Sequence, residues 1–405
     1  MKFNKWTVGL AAIGVVSLAS AARADEKMSQ VQTALSNTTI SGYVDTAAQW
    51  NPGTDNIART GGPYLPAYAF AKDDGFSLNA IDIAIDHPED ESPWAAGYHV
   101  ELMGGADAVP GIGLDSDGDT AGIGGVSIRQ AYLTLRTPVG NSGIDWKVGV
   151  FDTIIGYESS SDPANPNYTR SYGYTIEPTT HTGVLGTYKV NDNISVQAGI
   201  ADSSNVGTSP SAINGTAAYE SQKTYMGGVA LTAPSSWGWL NGATLNGGVI
   251  NSVDSHSHFG TGRGTKTSLY AGATVPTPIT ALKAGASFDY LDLHTGGGEA
   301  YVLGLYGSYQ LNDKTSVNLR GEYGDTDASS VLAYSTAGSH SAFPRNQFEE
   351  ITGTLQYNLW ANVLSRLEVR WDHVAHGTPF GDSNSSGGDV KNNDFLIALN
   401  LIYQF

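Results

Sequence analysis

The stretch Asn393–Phe405, NDFLIALNLIYQF, decides the fold. At a strand's period of two, Phe395, Ile397, Leu399, Leu401, Tyr403 and Phe405 share one face. Leu396, Ala398, Asn400, Ile402 and Gln404 share the other. The first row is apolar throughout, and its last two rings stand where a bilayer interface holds aromatic side chains. A strand of this kind with nothing after it to cover its edge needs a partner, because an unpaired apolar edge templates aggregation. The economical partner is the first strand of the same chain, and that pairing closes a barrel. A buried terminal strand of a soluble protein shows the same alternation, since short apolar runs are ambiguous by periodicity alone.

The other end of the chain separates these readings. Lys2 and Lys5 precede the apolar run Trp6 to Leu18, and Ala22-Arg23-Ala24 has the small-x-small pattern that signal peptidase cuts. Residues 1–24 therefore read as a signal peptide of a Gram-negative bacterium, residues 25–38 as a periplasmic tail, and residues 39–405 as one membrane domain. The apolar run is too short to span a bilayer, and nothing later approaches about eighteen consecutive apolar residues, so membrane residence implies a barrel. Cysteine is absent, which excludes disulfides, thiolate metal sites and a cysteine nucleophile. Without Lys2, Lys5 and Arg23 the chain keeps 18 basic against 39 acidic residues, a net charge of −21, and nucleic acid is excluded as a partner. Fifty glycines, 21 tyrosines and only 15% charged residues suit many short strands joined by polar loops.

From Thr39 onward about sixteen alternating segments of roughly nine to twelve residues follow, the length a tilted membrane strand needs. Ile40, Val44, Ala48 and Trp50 oppose Tyr43, Asp45 and Gln49 in the first, and Trp94, Tyr98, Val100 and Leu102 oppose His99 and Glu101 in the third. Connections alternate long and short, as at Thr153–Thr179 and then Asn191–Asn193. An even count with short turns on the side of the termini is the layout of an all-β, transmembrane, antiparallel up-and-down barrel of about sixteen strands, with fourteen and eighteen as the neighbouring counts. A β-sandwich would not need strict alternation of loop length. The repeats of a propeller or β-helix are missing.

The most informative segment runs from Lys147 to Tyr188 and contains the long connection Thr153–Thr179. Gln130-Ala131-Tyr132, Gly149-Val150-Phe151-Asp152-Thr153, Gly156-Tyr157-Glu158, Asn165 to Tyr172 (NPNYTRSY) and Pro178 to Val184 (PTTHTGV) together resemble the OmpL-like outer-membrane β-barrel porin family. The resemblance implies an outer-membrane porin from about Thr39 to Phe405 and names no solute. Read as residues, the loop has packing mass in Tyr157, Tyr168, Tyr172 and Tyr174, stiffness in Pro163, Pro166 and Pro178, and charge in Glu158, Asp162, Arg170 and Glu177. A loop with this chemistry either folds against the inner wall and narrows the lumen or caps the outer rim. Glu158 and Arg170 are candidates for an ion pair that fixes it.

Opposite the apolar rows fall Asp45, Glu101, Arg136, Lys147, Lys189, Lys266, Lys283, Arg320, Glu322, Arg366, Glu368, Arg370 and Asp372. An Arg or Lys facing lipid at mid-bilayer costs about 2–4 kcal/mol, so these side chains are expected to face a wet interior. Arg366, Glu368, Arg370 and Asp372 form a ladder of alternating sign, which either stiffens the wall by mutual pairing or contacts passing solute. Arg129 shares parity with Ala131 and Leu133 and so requires a bulge or a place above the bilayer. Asp115 to Asp119 resembles a fragment of a calcium loop with its glycine misplaced, and His256 with His258 lacks a third ligand. No GxSxG, HExxH or phosphate loop occurs.

The reading is a passive channel for small hydrophilic solutes and ions that catalyses nothing and needs no cofactor. Its expected partners are outer-membrane lipid, the barrel assembly machinery and further copies of itself in a homotrimer. A barrel enzyme or an adhesin acting through long surface loops is the alternative, and conductance in a planar bilayer separates them. Because the last strand must join the first, deleting Phe405 should lower the yield of heat-modifiable barrel while leaving export intact. Undiminished barrel in that variant would overturn the pairing.

Overall fold

A computed structural model of the chain describes residues 31–32, 37–52, 72, 74–108, 126–140, 142–202, 223–256, 263–294, 298–326, 346–375, 380 and 391–405. The signal peptide, most of the tail, Asp115–Asp119 and His258 lie outside the described residues. Sixteen antiparallel strands form a closed ring. They are β1 Thr39–Trp50, β2 Gly75–His87, β3 Ala96–Gly104, β4 Ser127–Thr137, β5 Ile144–Asp152, β6 Thr180–Asn191, β7 Ile194–Ala201 and β8 Lys223–Thr232. The second half comprises β9 Thr244–His256, β10 Arg263–Pro276, β11 Leu282–Leu293, β12 Gly298–Asn312, β13 Thr315–Thr326, β14 Asn346–Trp360, β15 Val363–Val374 and β16 Asn393–Gln404. Each pairs with its neighbours in sequence, and β16 pairs with β1 from Gln404 opposite Tyr43 to Ile397 opposite Trp50. Phe405 adds a reciprocal pair of backbone bonds with Gly42, at 3.0 and 3.1 Å. A two-residue strand, Val31–Gln32, pairs with the start of β1.

Closure satisfies every strand's outward hydrogen bonds, which lipid cannot do, and leaves side-chain polarity to sort by parity. On β16 Leu399 is 51% exposed and Asn400 fully buried. The same sorting turns Ile81 and Ile83 out and Tyr43, Asp45 and Gln49 in. At one end the turns are tight: Asp192-Asn193, Asp313-Lys314, and Ala361-Asn362, where Asn362 takes a φ of 63°. Residues 153–179, 202–222 and 327–345 connect strands at the other end. The alternation of loop length is not strict, because the connections at 257–262 and 294–297 on that end are short.

β2, β4 and β14 begin at Gly75, Ser127 and Asn346, ahead of the first clean apolar alternation. Trp94 precedes β3 instead of opening it, since its φ of 64° belongs to a turn. Two bulges explain part of this. The pairing steps from Asp45–Ala80 to Thr46–Leu78, leaving Asn79 as the extra residue, and from Glu101–Gln130 to Leu102–Ile128, leaving Arg129. A bulge re-aims its extra side chain without flipping the strand. Asn79 thereby reaches Asp45 at 2.6 Å, and Arg129 forks onto Asp152 at 2.7 and 3.1 Å while also bonding Glu101.

Parity makes a sharp prediction. Leu399→Arg puts a cation on the lipid row at a cost of about 2–4 kcal/mol and should sharply reduce folded, heat-modifiable barrel. Ser195→Arg, on the inward row of β7, should be tolerated. Equal losses for the two would overturn the assignment of faces.

Candidate functional site: a loop clamped to the inner wall

The charged inward residues of β13, β14 and β15 form a grid, because the register places them side by side. Glu322, Glu350 and Asp372 make one row, Arg320, Thr352 and Arg370 the next, and Asn318, Thr354 and Glu368 a third. Gln356 and Arg366 continue it. Acids thus alternate with bases along β13 and β15. Arg320, Arg366, Glu368, Arg370 and Asp372 are at most 1% exposed. They face inward as the sequence implies, but a loop and not water covers them.

That loop is the β5–β6 connection, residues 153–179, hereafter L3. It contains a short 3-10 turn at Asp162–Ala164 and one helix, α1, Tyr172–Ile176. Folding this much irregular chain inside a barrel removes its peptide groups from water, and each buried one needs a partner. The grid supplies them. Glu368 accepts from the backbone N–H of Tyr168 at 2.5 Å and of Thr169 at 2.9 Å, and from the hydroxyls of Thr169 and Thr354. Glu322 accepts from the N–H of Tyr172 at 2.8 Å and of Gly173 at 3.1 Å, the free amides of α1's first turn. Arg320 donates to the carbonyl of Thr169 at 2.7 Å, Arg370 to that of Arg170 at 2.7 Å, and Asn318 to that of Pro166 at 3.0 Å. Arg366 donates to the carbonyls of Asp162 and Asn165, its Nε and Nη1 having no partner among the described residues.

Charge is neutralised in the same contacts. Arg320 bonds Glu158 of L3 at 2.8 Å and Glu350 at 3.2 Å, and Arg370 forks onto Asp372 with two bonds of 2.8 Å. Arg170 pairs with Asp162 at 2.7 Å, so the expected Glu158–Arg170 pair does not form; Glu158 instead takes Arg320 and the N–H of Ser171. Apolar packing finishes the docking. Tyr172 and Ile176 of α1 sit in a cluster with Leu291, Val302, Phe348 and Val374, all inward-facing. Ile155 joins a second cluster with Phe151, Leu185, Met226, Ile250 and Tyr270.

The other candidates stand apart from the grid. Glu177, at the end of L3, is buried with its carboxylate against Gly156 at the start of the loop. Arg136 lies at the short-turn rim, donating to the carbonyl of Ser142 at 2.6 Å and lying 3.5 Å from Asp145. Lys147 is half-buried over the ring of Tyr132. Sequence reasoning missed Glu350, Thr352 and Thr354, although extending the parity of β14 toward its start would have found Glu350. It also missed the contact between Lys72, in the β1–β2 connection, and Asp107 at 2.7 Å and Tyr168 of L3 at 3.2 Å. Nothing local in the sequence marks that contact.

A family profile described as "Putative beta-barrel porin-2, OmpL-like" matches residues 37–405. No curated protein matches the sequence. Among solved structures the chain is similar to OmpF of Salmonella typhi in complex with daunomycin, with 12% identity, 93% of this chain and 100% of that chain covered, and a TM-score of 0.58. It is similar to the outer membrane channel DcaP of Acinetobacter baumannii, with 13% identity, 93% and 100% covered, and a TM-score of 0.56. It is also similar to in-vitro folded OmpT of Vibrio cholerae in its trimer form, with 14% identity, 91% and 99% covered, and a TM-score of 0.53.

Removing one partner of a buried charge cluster strands the others, at about 3–5 kcal/mol. Arg320→Ala should therefore free L3 while leaving the barrel closed, seen as new protease cleavage within residues 153–179 of a still heat-modifiable protein. An uncut loop in that variant would show that the guanidinium does not hold it.

Proposed function

Because the chain belongs to the OmpL-like β-barrel porin family, and so forms an outer-membrane channel, we propose that L3 sets the free cross-section of its lumen for passive passage of small hydrophilic solutes and ions. The observation that supports this is the attachment of L3 by its own backbone to wall charges on two strands, β13 and β15, at Glu322, Glu368, Arg320 and Arg370. A loop held this way across the interior is a fixed obstacle, and the solutes that pass are those its gap admits. The pore is non-catalytic: the buried acids and bases of the grid are bonded to peptide groups and to one another, a use that leaves none poised as a general base. Residues 1–24 direct export to the outer membrane, and three copies associate, in line with the trimer form of the Vibrio protein.

Ion preference follows from which charges remain available. Arg320, Arg366 and Arg370 are buried and bonded, so the wall offers little free positive charge to a passing ion. The acidic connections, with Asp115, Asp117 and Asp119 in one and Asp382 and Asp389 in another, lie outside the described residues apart from their flanks. Acidic mouths concentrate cations within a Debye length, about 8 Å at physiological ionic strength. The channel is therefore mildly cation-preferring.

Single-channel recording in planar bilayers tests both parts. Glu368→Ala should change unit conductance or raise current noise relative to the parent, and the parent's reversal potential under a potassium chloride gradient should have the cation sign. Identical conductance in the variant would overturn the constriction. Anion selectivity that falls on changing Arg366 and Arg370 to Ala would show that the wall outweighs the mouths.

A further inference from the structure

The grid holds L3 from the wall, and a second attachment reaches the loop from the long-connection end of the barrel. It meets L3 at its middle, on Tyr168. Gln49 at the end of β1, Lys72 in the β1–β2 connection and Tyr168 converge there, 3%, 6% and 5% exposed. Their bonds run in a closed ring. Gln49 Nε2 donates to the Lys72 carbonyl at 3.0 Å, Lys72 Nζ donates to the Tyr168 hydroxyl at 3.2 Å, and that hydroxyl donates to Gln49 Oε1 at 3.2 Å. Asp107, of the β3–β4 connection, accepts from the ammonium at 2.7 Å and neutralises it.

Each member is placed by its own stretch of chain. Beside Lys72, the Asp74 carboxylate accepts from the N–H of Asn51 at 2.9 Å, so the connection returns against the end of β1. The N–H groups of Ala106 and Asp107 donate to the carbonyls of Leu78 and Asn79, at 3.1 and 2.8 Å, and carry the β2–β3 pairing past the end of β3. Gly105 permits that course: its φ is +113°, and a Cβ there would stand 2.4 Å from the Asn79 carbonyl oxygen. The Tyr168 ring packs with Ala47, Leu396 and Ala398, on both sides of the β16–β1 closure, and Lys72 Nζ lies 4.9 Å from its centre. A buried ammonium is tolerated only when it is paired and bonded. Here both of its hydrogen bonds go to connections, Asp107 and Tyr168, while β16 and β1 close through their own backbone.

We propose that Lys72 is a positioning residue for the constriction: its ammonium ties the middle of L3 to the β1–β2 and β3–β4 connections, so that the passage is set from the barrel mouth as well as from the wall. The inference rests on the reading of L3 as the constriction. Glu368 holds Tyr168 by its amide and Lys72 holds it by its hydroxyl, and with both in place the ring has one position. Without the ammonium the hydroxyl keeps Gln49 alone and the Asp107 carboxylate loses its counter-charge. The middle of L3 then moves while α1 stays on Glu322.

Single channels of the full-length protein test this. Lys72→Met should still give heat-modifiable barrel, with brief closures about tenfold more frequent than in the parent, the scale of losing a hydrogen bond to a charged group. Adding Asp107→Asn to that variant removes the stranded carboxylate if the single change prevents assembly. Tyr168→Phe, which keeps the ring and drops the hydroxyl, should give the same closures, and Lys72→Met combined with Tyr168→Phe no more than either alone, because both act through one contact. Since the chain has no cysteine, Lys72→Cys can be labelled at that one place in the denatured chain before refolding. 2-Aminoethyl methanethiosulfonate, which restores an ammonium, should return the parent's quiet current, and ethyl methanethiosulfonate, which restores length without charge, should not. A quiet Lys72→Met channel, additive effects in the double variant, or equal rescue by the two reagents overturns the brace. Glu368→Ala reports the constriction separately, so a channel that responds to that change but not to Lys72→Met loses only the brace.

Discussion

Peptide groups taken out of water are the constraint on which the rest of this structure depends. The barrel answers it for the strands by closing on itself, β16 against β1. L3 meets the same demand without a ladder to join. Its amides at Tyr168, Thr169, Tyr172 and Gly173 find carboxylates, and its carbonyls at Pro166, Thr169 and Arg170 find an amide or guanidinium groups. The wall behind L3 is charged because irregular backbone needs strong partners of both kinds, and bonds involving an ionised group are roughly twice as strong as neutral ones.

Burying so many charges would be ruinous singly. An isolated ion in a low-dielectric place costs several kcal/mol even after relaxation, and pairing recovers this only when geometry is good and the remaining lone pairs are used. At Arg320 and Arg370 the grid meets those terms by alternation. Arg320 lies between Glu158 and Glu350, and Arg370 forks onto Asp372 while stacking 5.4 Å from the Tyr172 ring. The apolar clusters around α1 and Ile155 supply the nonspecific part of the attachment. The electrostatic part determines where along the wall the loop comes to rest.

The strands were legible in the sequence because their signal is local. Sixteen segments, the outward row of β16, and the inward parity of Arg366 through Asp372 all follow from a period of two. Even Arg129, whose parity conflicts with its neighbours, announces the bulge in which it sits. What failed is nonlocal. Arg170 was matched with Glu158 by charge and proximity in sequence, yet Arg320, far along the chain, takes Glu158 and leaves Arg170 to Asp162. The inward rows implied water, and for β13 to β15 they meet a folded loop instead, since parity gives direction and not what lies in that direction. Glu350 was lost at a strand boundary, the least reliable part of such a reading.

The wall grips L3 largely through main-chain atoms, which every residue type other than proline offers in full. Side chains at many loop positions are therefore not what the wall recognises. Substitution there can change what the loop shows to the lumen without altering where it is anchored. Such an arrangement separates the fastening of the loop from its display, so that selection, or a protein engineer, can rewrite the display on a constant frame. The residues least free to drift are then the strand charges, remote from any solute, and not the loop residues that meet it.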